Sequence, residues 1–132
     1  MSGLTQFRAA WAPRLLSVLR IVAALLFLEH GTAKLLHFPH IAALDNVQLL
    51  SMAGFSGGLE LVGGALLALG LFSVPVAFIL SGEMAVAYFL AHNSRAFFRL
   101  LNGGEAAILF CFVLLYIAAA GPGPWSVDAV RK

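Results

Sequence analysis

The sequence predicts an all-α membrane protein, a bundle of four transmembrane helices in antiparallel, up-down order. Of its 132 residues, 61% are hydrophobic and 11% are charged, and the mean hydropathy is +0.96. Soluble domains average roughly 45–50% apolar and about 25% charged residues, so lipid is expected to be the solvent for most of this chain. Four apolar runs, each close to the roughly 20 residues that cross a bilayer, fill most of its length. We therefore expect a single domain, residues 1–132, embedded in a lipid bilayer.

The first span is expected over residues 15–36, after a polar lead that places Trp11 near a membrane interface. Pro39 ends it from outside, because proline cannot continue a helix. Arg20 lies inside the span and is expected to extend its guanidinium group toward the lipid head groups. Residues 40–53 mix apolar and polar side chains, which predicts a short interfacial helix between the first two spans. The same residues could instead extend the second span.

The remaining spans are expected over residues 54–72, 75–91 and 101–120. The second is rich in glycine, and Gly54 and Gly58 have the four-residue spacing that lets helix backbones approach closely in membranes. That face could pack within the chain or against a second copy, so a homo-oligomer stays open.

Basic residues flank the apolar runs and form no stripe, so we expect no nucleic-acid partner. The flanks on the side of the two termini carry five of them, and the other side carries three. Because cytoplasmic flanks are enriched in lysine and arginine, both termini are expected in the cytoplasm. The five are Arg8, Arg14, Arg20, Arg131 and Lys132, and the three are Lys34, Arg95 and Arg99.

One glutamate falls within each predicted span. The four are Glu29, Glu60, Glu83 and Glu105. A carboxylate at mid-bilayer costs roughly 2.5–3.5 kcal/mol on insertion scales, and such residues usually face the bundle interior and mark function. A helical rise of about 1.5 Å per residue places all four roughly 6–12 Å below the non-cytoplasmic face. Lys34 and His92 fall near the same face, so we expect one polar pocket in the outer half of the bundle.

Within the first span, His30 and Lys34 are four residues apart and share a helix face. Either could pair with Glu60 on the neighbouring helix. A carboxyl group without such a partner is expected to be neutral, because neutralisation costs less than burying an unpaired charge; Glu83 fits this best. Glu29 fits a structural role better.

Simpler interpretations stay open for these residues. Glu60, Glu105 and Lys34 could be interhelical hydrogen-bonding groups alone. His30 and His92 could be packed polar residues, metal or haem ligands, or a proton relay. Cys111, the single cysteine, lies deep in an apolar run and fits an inert packed thiol.

Several of these residues form an ordered pattern across the four spans. It comprises His30-Gly31 and Lys34, then Glu60 with Gly63-Gly64 and Gly70, then Ala87 and His92, then Asn102-Gly103-x-Glu105, and finally Gly121, Gly123, Ser126 and Asp128. The pattern resembles the DoxX family of small membrane proteins over nearly the whole chain.

The resemblance implies a four-helix protein of the inner (plasma) membrane, from a family named after a subunit associated with thiosulfate and quinone oxidoreduction. The family's polar signature maps by position onto Lys34, Glu60, His92, Asn102 and Glu105. One departure is Val74, which lies in the hairpin between the second and third spans, where such proteins commonly carry a basic residue.

The first functional hypothesis is a membrane component of a redox system that binds a quinone or a small sulfur-containing substrate in the outer-half pocket. Lys34, His30, His92 and Asn102 would bind the ligand. Glu60, Glu83 and Glu105 would exchange protons as general acids or bases. One cysteine cannot form a CxxC pair, so electrons would come from a partner subunit or a borrowed cofactor.

The alternative is a non-enzymatic transporter, receptor or assembly factor that holds a small ligand or metal ion in the same pocket. No two histidines have the i, i+4 spacing of a strong metal site, so we assign no metal ligands. A third hypothesis is a haem group ligated by His30 and His92. Whether the protein is an enzyme, and whether its cofactor is a quinone, stays open on the sequence.

Overall fold

The computed structural model describes residues 2–92 and 104–132. Over these ranges the regular elements are helical, without a strand. The α-helices are α1 (Gly3–Leu35), α2 (Met52–Leu69), α3 (Ser73–Ala87), α4 (Glu105–Ala120) and the short α5 (Val127–Val130). A 3-10 helix (Ala42–Leu44) and a π-helical turn (Tyr88–His92) complete the described elements. The all-helical prediction is confirmed.

Three of the helical segments are long and apolar enough to cross a membrane. They are Gly3–Leu35, Met52–Leu69 and Ser73–Leu90, the last including part of the π-helical turn. The helix α4 is also apolar but shorter, at 16 residues. Large apolar side chains such as Phe78, Phe89 and Phe112 are more than 60% exposed. Since such surfaces are unfavourable in water, this is a membrane protein whose exposed faces meet lipid.

The helix α1 begins twelve residues before the expected span, at Gly3 instead of residue 15. The hydroxyl of Ser2 accepts a hydrogen bond from the backbone N–H of Thr5, which caps the helix. Pro13 lies inside α1; its ring removes one backbone hydrogen bond without ending the helix.

The segment between α1 and α2 contains three residues of 3-10 helix where a short interfacial helix was expected. Its polar side chains bond locally instead of supporting a longer helix. The ring of His40 lies 2.8 Å from the carboxylate of Asp45, and the hydroxyl of Ser51 caps α2 by accepting from the N–H of Gly54. The predicted interfacial helix is therefore not confirmed.

Glycines bring α1 and α2 into close contact. A Cβ added at Gly31 would lie 2.6 Å from the backbone nitrogen of Leu61, and one added at Gly64 would lie 3.0 Å from that of Leu28. By contrast, nothing lies within 4 Å of a Cβ added at Gly58. The Gly54/Gly58 face expected from spacing is therefore not the α1–α2 contact.

The apolar core lies where the four long helices meet. The helix α3 packs mainly against α4, and α1 packs mainly against α2. The buried core residues are Ala24, Phe27, Leu67, Ala77, Leu80, Leu114 and Ile117.

Arg20 holds the C-terminal segment against the bundle. Its side chain is fully buried, and its two terminal nitrogens donate to the backbone carbonyls of Pro122 and Trp125. The hydroxyl of Ser17, one turn earlier, accepts from the N–H of Trp125. The expected extension toward lipid head groups is wrong, because the carbonyls that follow α4 lack helical partners and attract the guanidinium group inward.

The carboxylate of Asp128 caps the start of α3. It accepts from the backbone N–H groups of Phe72 at 2.9 Å and Ser73 at 2.8 Å, while the N–H of Asp128 donates to the carbonyl of Gly70. Burial acts to raise the pKa of Asp128, but the hydrogen bonds from Ser73 and Phe72 outweigh it and hold that pKa below its usual value. The turn requires glycine at position 70, where φ is +71°.

Candidate functional site

Four polar side chains from three helices meet near the end of α1. The ammonium group of Lys34 lies 2.9 Å from Oε1 of Glu60 and 3.0 Å from the hydroxyl of Ser56. That hydroxyl lies 3.1 Å from Oε1 of Glu60 and 2.6 Å from Oε1 of Glu83. We call these residues the polar cluster. Of the two partners expected for Glu60, Lys34 and His30, the structure has Lys34 in an ion pair with it.

Helical spacing explains how the polar cluster assembles. Ser56 and Glu60 are one turn apart on α2, so both point toward the neighbouring helices. Lys34 comes from the last turn of α1 and Glu83 from α3. Because Gly57 packs against Lys34 and Leu35, the backbone of α2 lies close enough for the lysine to reach both polar groups.

The polar cluster is shielded to different degrees. The side chain of Glu60 is 3% exposed and that of Lys34 is 19% exposed. Among the described residues, Oε2 of Glu60 and Oε2 of Glu83 are buried without a hydrogen-bond partner. A buried acceptor without a donor is unfavourable, so these oxygens are the atoms best suited to contact a bound polar group.

The hydrogen atoms in the polar cluster can be counted. A serine hydroxyl supplies one hydrogen and two lone pairs, and Ser56 contacts two carboxyl oxygens at hydrogen-bond distance. For both contacts to be hydrogen bonds, one carboxyl group must supply the second hydrogen. With the proton on Glu83, the charges of Lys34 and Glu60 cancel and the polar cluster is neutral, which is the favourable state in a low-dielectric medium.

An interior pocket of about 330 Å³ lies beside the polar cluster and is bordered by all four long helices. Lys34, Ser56 and Glu60 form its polar side. Its apolar wall includes Phe27 and Phe110, whose ring centroids are 5.1 Å apart. The remaining lining residues are His30, Met84, Ala87, Ala106 and Ala107. Such a combination of an apolar wall and a few polar groups is typical of small-molecule sites.

A second cavity, the outward groove, lies between α2 and α3 and has a volume of about 440 Å³. Ser56 and Glu83 are its polar residues, and its other lining residues are apolar. Several of them, such as Phe55 and Leu90, are largely exposed. Ser56 thus borders both cavities, whereas Glu60 borders only the interior pocket and Glu83 only the outward groove.

The expectation of one pocket holding every candidate residue is met only in part. His30 lines the interior pocket, with its ring 6.5 Å from that of Phe110. Glu105 is exposed in the first turn of α4, outside the pocket lining, and Glu29 is exposed on α1. The side chain of His92 and the whole of Asn102 lie outside the described residues.

Sequence reasoning did not identify Ser56, which contacts every other member of the polar cluster. A signal was available, because Ser56 precedes Glu60 by one helical turn. It also missed the aromatic wall, since Phe27 and Phe110 resemble any other apolar residue of a span.

The fold and the polar cluster define a helical membrane protein with a ligand-sized interior pocket. The sequence model of the DoxX family matches residues 15–93. A protein of Haemophilus influenzae described as uncharacterized is 42% identical, with 97% of this chain and 96% of that protein aligned. The chain belongs to the DoxX family. No solved structure matches it.

Proposed function

We propose that this DoxX-family protein is a membrane component of a redox system, and that its interior pocket binds a quinone or a small sulfur-containing substrate. The supporting observation is the pairing of an aromatic wall with a partly buried ammonium group, Lys34, that donates to Glu60 and Ser56. A quinone ring can pack against the aromatic wall of Phe27 and Phe110. Its carbonyl oxygen, or a sulfur oxyanion, is an acceptor for the ammonium group.

The proposed arrangement in the membrane is a single domain of four antiparallel spans with both termini in the cytoplasm of an inner membrane. The antiparallel order of α1 and α2 is supported by the contact between Lys34, at the end of α1, and Ser56, near the start of α2. The interior pocket then opens in the half of the bilayer away from the cytoplasm.

The candidate residues have separate roles in this proposal. Lys34 and His30 bind the ligand, and His92 and Asn102 are proposed to complete the site. Glu60 and Glu83 are proposed to exchange protons with it, Glu60 directly at the interior pocket and Glu83 from the far side of the polar cluster. Glu105, at the exposed start of α4, is proposed to exchange protons at the rim. A partner subunit would supply electrons, and a second copy of the chain is a further proposed partner.

The test is direct binding of a water-soluble, short-chain quinone to the protein in lipid nanodiscs, measured by calorimetry. Thiosulfate is titrated separately. Lys34→Met and Glu60→Gln are expected to weaken binding about tenfold or more, the factor that corresponds to one lost charge-assisted hydrogen bond. Glu29→Gln is the matched control, because Glu29 is exposed on the same helix as Lys34. Undiminished binding in folded Lys34→Met and Glu60→Gln proteins would refute the proposed site.

A second candidate is a binding protein without redox chemistry, such as a transporter, receptor or assembly factor. The single cysteine favours it, because the chain alone cannot form a dithiol. Incubation of the protein with reduced quinone and an electron acceptor distinguishes the two. Binding without turnover, even when membrane extract is added, would select the second candidate.

A further inference from the structure

Ser56 lies between two cavities of different character. On one side is the interior pocket, which Glu60 borders, and on the other is the outward groove, which Glu83 borders. The hydroxyl of Ser56 lies within 3.1 Å of one carboxyl oxygen from each residue. A hydrogen-bonded connection therefore runs from the groove to the pocket through one side chain.

We propose that Ser56 passes a proton between Glu83 and Glu60, and that Glu83 is a carboxylic acid whose side chain borders the outward groove. In the transfer, the O–H bond of Glu83 breaks as its proton moves to the oxygen of Ser56. The original O–H bond of Ser56 breaks as that proton moves to Oε1 of Glu60. Glu83 becomes a carboxylate, Glu60 becomes an acid, and Ser56 is again a hydroxyl.

The surrounding groups determine where the proton rests. Lys34, from α1, donates a hydrogen bond to Glu60 and lies 2.9 Å from its Oε1. The polar cluster is therefore neutral when Glu60 carries the charge that pairs with the ammonium group and the proton rests on Glu83. His30 is the other titratable residue of α1 that borders the interior pocket, and α4 contributes only alanines and Phe110 there. A ligand that takes over the ammonium group of Lys34 would draw the proton to Glu60. The transfer of the proton on ligand binding rests on the proposed function. The position of the proton on Glu83 in the ligand-free protein does not.

The lining of the outward groove defines what reaches Glu83. Apart from Ser56 and Glu83, the groove presents only apolar side chains and a glycine, including Met52, Phe55 and Ile79. Uncharged, lipid-soluble molecules can therefore approach the acid from the membrane, while ions cannot. The polar route for the proton leads through Ser56 to the interior pocket.

The first test uses dicyclohexylcarbodiimide, a lipid-soluble reagent that adds to protonated carboxyl groups. The carboxyl proton moves to a carbodiimide nitrogen, the carboxyl oxygen bonds to the central carbon, and the acyl group then shifts to nitrogen. Both reactants remain in the adduct. Peptide mass spectrometry of protein in lipid vesicles is expected to find the adduct on Glu83 and not on Glu60. Glu29→Gln is expected to leave the labelling of Glu83 unchanged. An unmodified Glu83 in protein that reacts at other carboxyl groups would overturn the proposal.

The second test measures the rate of proton exchange. The infrared band of the protonated carboxyl group is identified by its loss in Glu83→Gln, and its shift is followed after transfer from H₂O to D₂O. Ser56→Ala is expected to slow the shift about tenfold, the factor that corresponds to one hydrogen bond to a charged group. Ser81→Ala is the matched control, because Ser81 donates to the carbonyl of Cys111 away from the polar cluster. An unchanged rate in folded Ser56→Ala protein would exclude the relay. Neither test uses a quinone, so failure of the proposed function leaves both results interpretable.

Discussion

The ion pair between Lys34 and Glu60 gives a quantitative prediction about stability. The carboxyl group of Glu60 is 3% exposed, so after Lys34→Met it must either stay charged without its partner or take up a proton, and both states cost free energy. Breaking a buried pair costs about 3–5 kcal/mol, and we expect about 3 kcal/mol because Ser56 still bonds to the carboxylate. Glu60→Met leaves a lysine that is 19% exposed and can reach water, so its cost is expected to be smaller, about 2 kcal/mol.

The double variant Lys34→Met/Glu60→Met is expected to cost only about 2 kcal/mol, because replacing both charges by apolar side chains removes the desolvation penalty. The difference from the sum of the single variants gives a coupling free energy of about 3 kcal/mol. The measurement is reversible unfolding in mixed detergent micelles, followed by circular dichroism. Glu29→Gln is the control and is expected to fall within about 0.5 kcal/mol of wild type. A double variant as unstable as the sum of its parts would refute the reasoning.

Other predictions concern the helix contact and the C-terminal segment. Gly31→Ala should destabilise the protein by about 1–3 kcal/mol through contact with the backbone of Leu61, whereas Gly58→Ala should be neutral or stabilising; thermal unfolding of the two variants checks this, and equal effects would contradict it. Arg20→Met should lower the free energy of unfolding by about 3 kcal/mol and expose the last residues to carboxypeptidase, because two carbonyls lose a charged donor. Unchanged digestion would show that Arg20 does not hold the C-terminal segment. The lowered pKa of Asp128 means that its stabilising contribution is complete above its unfolded pKa of about 4 and is lost as the pH falls below that value. Asp128→Asn should flatten the dependence of the unfolding temperature on pH in this range. The same dependence in the variant and the wild type would contradict a stabilising role for the Asp128 carboxylate.

The helical membrane fold and part of the site could be predicted from the sequence. Hydropathy is a property of consecutive residues, so apolar runs could be recognised, and three of the described helices are long and apolar enough to cross a membrane. The pairing of Lys34 with Glu60 was also predictable, since both lie near facing ends of consecutive helices. The same reasoning placed Glu105 in the pocket, where the structure has it exposed in the first turn of α4.

The sequence by itself determined that the chain is helical, lies in lipid and carries one glutamate in each of its four long helices. Only the tertiary structure decided which of these glutamates meet, that Ser56 joins two of them, and that Arg20 turns inward to the C-terminal carbonyls. The reason is geometric: each residue turns a helix by about 100°, so an error of one residue in a boundary moves a side chain to another face. The register between α1 and α2 is set by the close packing of Gly31 and Gly64, a contact between residues distant in the chain.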